Sequence, residues 1–137
     1  MARRSPAAVR AALPRRLPPG ATFSVIDGLT AGTVGRIQVL ERSRLGPGSV
    51  ARALAEWKRA VHRRDVSAML EDVVRHGCPC CDPTEAREVL HQAMALLEPR
   101  ARRELRAKVE PLDNLFRDRT IHDPQAAAGQ PWWRQRA

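Results

Sequence analysis

The residues whose types and spacing could do chemistry lie in one short run, His76-Gly77-Cys78-Pro79-Cys80-Cys81. Cys78 and Cys81 have the C-x-x-C spacing of a zinc knuckle, which lets two thiolates turn toward one ion. Such a site takes four ligands. The chain has no second C-x-x-C, so the remaining ligands would have to come from His76, His91, His122 or Cys80. A redox role would set the same spacing at the start of a helix on a βαβ frame; the helix is expected here and the frame is not. The favoured reading is structural: three small, soft side chains packed in a tight turn between helices. No cofactor is expected, and zinc on Cys78, Cys81, His76 and His91 is kept as the alternative.

Other constellations are weaker still. Glu88 and His91 form Glu-x-x-His, whose members project together from a helix, as in carboxylate di-iron bundles. That chemistry needs a second copy. Glu71, Asp72 and His76 do not supply one, so an ordinary surface pair is expected. The glycines at 28, 32 and 35 lack the Lys-Ser/Thr pair of a phosphate loop and the spacing of a dinucleotide fold. No serine lies in a G-x-S-x-G motif. No complete catalytic set is recognisable, and the protein is not expected to be an enzyme.

Charge and aromatic residues point to binding instead. The 137 residues carry a formal charge of +9, which favours anionic partners by long-range attraction. Met1–Gly20 holds five Arg and no acid, whereas Cys78–Glu98 is the acidic block at −3. Arg100, Arg102, Arg103 and Arg106 form a basic patch that could meet phosphates or could be a solvated helix face. Trp132 and Trp133 stand together near Arg134 and Arg136. Two adjacent Trp side chains are too apolar to be left in water, so at least one should dock on the helices and the other, with the two Arg, should belong to a partner surface.

The elements that would position these residues are mostly helical. Residues 1–20 read as a basic, loosely held arm with too little apolar area to order itself. In residues 21–40, Phe23, Val25, Ile37 and Val39 alternate with polar residues around the turn-rich stretch Asp27–Gly32, which predicts a minor β-hairpin before a linker ending near residue 46. Ser49 should cap a first helix of about residues 50–63, its face Val50, Leu54, Trp57 and Val61 spaced 4, 3 and 4. Asp65 or Ser67 should cap a second, of about residues 67–76, that buries Met69, Leu70, Val73 and Val74 and ends at Gly77.

Asp82-Pro83-Thr84-Glu85 is the clearest local signal. It combines an acidic cap, Pro at the first helical position, and Glu85 able to reach back. The third helix then runs to about Leu97 with Ala86, Val89 or Leu90, Ala93 and Met94 inward. The fourth carries Ala101, Leu105, Val109, Leu112 and Phe116, and Pro111 within that stripe should kink it without ending it. Residues 120–137 lack periodicity and read as a Trp-bearing tail. The fold expected is mainly α: about four helices over residues 47–119, kinked at Pro111.

The run Arg102-Arg103-Glu104-Leu105-Arg106, Val109-Glu110-Pro111-Leu112-Asp113, Phe116, Arg119-Thr120, Asp123-Pro124 and Pro131-Trp132-Trp133-Arg134 resembles the C-terminal half of small proteins from GC-rich actinobacteria. The resemblance covers about residues 95–136 and carries no activity with it. It implies that the Pro-Leu-Asp kink and the Trp pair belong to one structural unit.

No apolar run is long enough to span a bilayer. Residues 1–20 lack the apolar middle of a secretory signal, and an odd set of closely packed cysteines is no disulfide framework. A cytoplasmic protein with reduced thiols is expected. Its expected function is that of a non-enzymatic binding protein with another protein as partner. Weak nucleic-acid binding through the Arg clusters is an alternative, and a membrane partner is not expected.

Overall fold

The computed structural model describes residues 25–137, with the Cys80 side chain outside that description. The basic arm and Phe23 lie outside the described residues. Five helices follow: α1 (Ala31–Leu40), α2 (Ser49–Val61), α3 (Val66–His76), α4 (Pro83–Leu96) and α5 (Pro99–Arg119). Among the described residues none is long and apolar enough to cross a membrane.

The apolar stripes form the core. Val50, Trp57 and Val61 of α2, Leu90 and Ala93 of α4, and Ala101, Leu105 and Phe116 of α5 are fully buried. α2 packs chiefly on α4 and also on α5, and α1 lies against α5. Trp57 and Phe116 meet at the centre with ring centroids 4.8 Å apart. α5 runs unbroken through Pro111. Pro111 and Ala107, whose carbonyl loses its helical donor, are both exposed, so water can take that bond.

Residues 31–40 correct the hairpin expectation, since they are helical. Thr33 and Ile37, four apart, are buried, and Leu40 is half-buried; Val39, read as one of the alternating apolar residues of a strand, is exposed. Thr30 caps this helix, its hydroxyl accepting from the Thr33 N–H at 3.4 Å. Its backbone N–H and its hydroxyl each donate at 2.9 Å to the Glu104 carboxylate of α5. α1 then widens into a π turn over Glu41–Leu45.

That turn aims the buried Glu41 carboxylate at the start of α2. It accepts from the N–H groups of Gly48 at 3.0 Å and Val50 at 2.9 Å. Glu41 therefore does the capping expected of Ser49. Ser49 is instead the first helical residue after Gly48, which takes the left-handed conformation at φ 72°.

Two further expectations change. Val74 points to solvent at 84% exposure, because α3 packs only lightly and is buried through Val66 and Leu70. Asp82 caps α4 by accepting from the Thr84 N–H at 2.8 Å, but Glu85 turns away to Arg134 instead of reaching back. Gly77 ends α3 in the left-handed conformation, as expected.

The tail is fastened to the bundle. Ile121 and Ala137 exchange backbone hydrogen bonds at 3.0 and 2.9 Å around a bridge between His122 and Arg136. Trp132–Arg134 form a single 3-10 turn against α4.

Candidate functional site

An Arg and an Asp, each set within an apolar stripe, meet in the core between α4 and α5. Arg87 shares a face of α4 with Leu90 and Met94, and Asp113 lies between Val109 and Phe116 on α5. The Arg87 guanidinium donates twice to the Asp113 carboxylate, at 2.8 and 2.9 Å. The Trp57 indole N–H donates to the same carboxylate at 3.1 Å. The side chains of Arg87 and Asp113 are only 7% and 9% exposed, so this is a buried, bidentate ion pair.

The tail closes over it. Trp133 is buried, with its ring 4.3 Å from the Arg87 guanidinium carbon and 5.1 Å from the His91 ring. Trp132 stands at right angles to Trp133, half-buried, with the Arg117 guanidinium 3.7 Å above it. Arg–Trp stacking of this kind is attractive and strengthens as water is excluded.

Beside this network a cleft of about 350 Å³ opens between α4 and α5. Arg87, His91 and Met94 line one side, Arg102, Arg106, Glu110 and Arg117 the other, and Trp132 forms a wall. Arg102 is held in place by donating to the Leu97 carbonyl at 2.9 Å, at the end of α4.

The cleft thus collects residues that drew attention separately in the sequence. Arg102 and Arg106 of the basic patch, Trp132 of the Trp pair and His91 of the metal set share it. Arg100 and Arg103 are exposed elsewhere on α5, and Arg100 pairs with Glu104 at 3.6 Å. Arg134 and Arg136 are engaged within the chain. Arg134 donates to Glu85 at 2.8 Å and lies 3.8 Å from Asp82, and its pKa is raised, first by the hydrogen bond to Glu85. Arg136 donates to the carbonyls of Arg117 and Thr120, capping α5.

Cys78, Cys81 and His76 lie in and before the short turn between α3 and α4, while His91 packs on Trp133. Among the described residues no three His, Cys, Asp or Glu side chains are grouped to hold a metal ion.

Arg87 and Asp113 were not paired from the sequence, and Arg117 was not singled out. The signal available for the first two was a charged residue at a stripe position on each of two facing helices. Compared with protein-family models, curated proteins and solved structures, the chain finds no match.

Proposed function

We propose that this is a non-enzymatic binding protein whose recognition surface is the cleft between α4 and α5 and whose partner is a protein offering an acidic segment. One observation carries the reading. Arg87 and Arg117 flank the half-buried Trp132 at one end of the cleft, Arg102 and Arg106 line it toward the other end, and Asp113 is already committed to Arg87 and Trp57. Glu110 is the one other carboxylate of the lining. Arg and Trp are the residue types that most often anchor interfaces, and a cleft lined with cations along its length and walled by an aromatic ring at one end suits an extended segment carrying both carboxylates and an apolar group.

The test is fluorescence anisotropy with a labelled Glu-rich peptide. Arg106→Glu should abolish binding, and Arg103→Glu, which changes net charge equally but lies outside the cleft, should leave it nearly intact. Equal losses from both variants would mean general charge attraction, and the cleft reading would fail. A single-stranded oligonucleotide that binds more tightly than the peptide, with the salt dependence of phosphate contacts, would put nucleic acid in the partner's place.

A further inference from the structure

We infer that the cleft reads its partner segment by spacing: an extended stretch of about seven residues with acids at its first and third positions, none at its fifth and an apolar side chain at its seventh. The inference rests on the cleft being the recognition surface. α4 and α5 are joined through Leu97 and Glu98 alone, and Arg87 near the start of α4 pairs with Asp113 toward the end of α5. The two helices are therefore antiparallel, and the lining residues fall in order along one axis. Arg102 stands at the end nearest the joint, followed along α5 by Arg106, Glu110 and Arg117.

Helix geometry sets the intervals. Arg102, Arg106 and Glu110 follow one another four residues apart, so they are spaced about 6 Å along the axis. Trp132 lies beside Phe116, with ring centroids 6.2 Å apart, and under the Arg117 guanidinium at 3.7 Å. It therefore stands about 14 Å beyond Arg106. The Asp113 carboxylate is taken up by Arg87 and Trp57, which leaves the order cation, cation, carboxylate, aromatic ring. Both ends of this frame are held, Arg102 by the Leu97 carbonyl at 2.9 Å and Trp132 by Phe116 and Arg117.

An extended chain turns every second side chain to the same side, about 6.6 Å apart. Its first, third and fifth residues then meet Arg102, Arg106 and Glu110 to within about 1 Å. Its seventh arrives about 13 Å past the third, at the Trp132 ring. Glu110 repels a carboxylate at the fifth position, which makes it a selector against uniformly acidic segments. The alternative occupant is a helix, with acids four residues apart. A helix is about 10–12 Å across, and a volume of about 350 Å³ drawn out along this axis admits a row of side chains but not a helix.

The experiment is fluorescence anisotropy of the full chain with labelled seven-residue peptides of one composition. Each carries two Glu and a Leu at the seventh position, the rest Gly and Ser, and each is made in both chain directions. Glu at the first and third positions should bind about tenfold more tightly than Glu at the second and third, which point to opposite sides, or at the first and fifth. Glu110→Lys, at an exposed position, should reverse that preference by gaining about tenfold for Glu at the first and fifth. Trp132→Ala should lose the preference for Leu over Ser at the seventh. Equal affinity for all arrangements, or a uniform gain in Glu110→Lys, would overturn the inference and leave the acidic-partner reading standing. Tightest binding by the parent of Glu at the first and fifth would overturn the extended form in favour of a helix. No binding of any peptide would remove both readings.

Discussion

At the scale of single residues, the Arg87–Asp113 pair decides most. Two charges have been taken out of water, and their attraction offsets that cost only while both are present and well bonded. Asp113→Ala leaves a buried cation and removes the acceptor of the Trp57 N–H. It should cost about 3–5 kcal/mol, the range for breaking a buried pair from one side. Arg87→Met combined with Asp113→Asn leaves no buried charge and keeps a carbonyl oxygen for Trp57. This double variant should recover more than half of that loss in urea unfolding. A change within about 1 kcal/mol for Asp113→Ala would show that water reaches the pair and that the network is not part of the core.

At the scale of elements, side chains distant in sequence complete the helix ends. The last carbonyls of α2 receive Arg119, which donates to Val61 at 3.1 Å and Arg63 at 3.0 Å; those of α4 receive Arg102 and those of α5 receive Arg136. Cations there complement the helix dipole, so part of the basic charge serves the fold. Glu41 and Glu104 act at the opposite ends, on the starts of α2 and α1. The Glu104 carboxyl is held below its ordinary value, chiefly by the Thr30 backbone N–H. Desolvation opposes the shift, and the Thr30 and Thr33 side chains and Arg100 add to it. A depressed folded pKa means that the clamp's contribution is fully present above the unfolded value of 4.5 and lost as pH falls through the folded value. The melting temperature should therefore fall with acid more steeply in the parent than in Glu104→Gln, and parallel curves would show that the clamp does not stabilise the fold. These long-range caps also explain what was legible in the sequence. The stripes of α2, α4 and α5 were readable because each face repeats its own period. α1 was not, because its Gly32 and Gly35 and its β-branched residues favour helix weakly, and its anchor, Glu104, lies 74 residues away. Arg87 and Asp113 were hidden for a related reason. A charge at a stripe position reads as a break in the pattern until the facing helix is known to carry its opposite.

At the scale of the whole molecule, the C-terminal segment is both a structural strap and a wall of the cleft, and its two Trp residues divide those roles. Trp133 is 4% exposed, lies against Arg87 and His91, and is backed by the Arg134 and Arg136 contacts. Truncating it opens a cavity over a buried ion pair, so Trp133→Ala should cost about 3–5 kcal/mol. For a domain of this size that lowers the melting temperature on the order of 10 °C. Trp132 is half-buried, touches Phe116 at a centroid distance of 6.2 Å, and faces the cleft. Trp132→Ala should cost less, about 1–2 kcal/mol, since part of the ring already meets water. Its effect should fall on recognition instead: the cleft loses a wall, and Arg117 loses the ring that positions it. Deleting residues 129–137 should combine both losses while α1–α5 keep a helical circular-dichroism spectrum. The decisive comparison is between the two single variants, each measured by thermal melt and by titration with the Glu-rich peptide. Trp133→Ala should be the less stable and Trp132→Ala the weaker binder at a temperature where both are folded. If both variants lost stability and affinity in the same proportion, the strap would be one packing unit and the cleft would have no recognition role of its own.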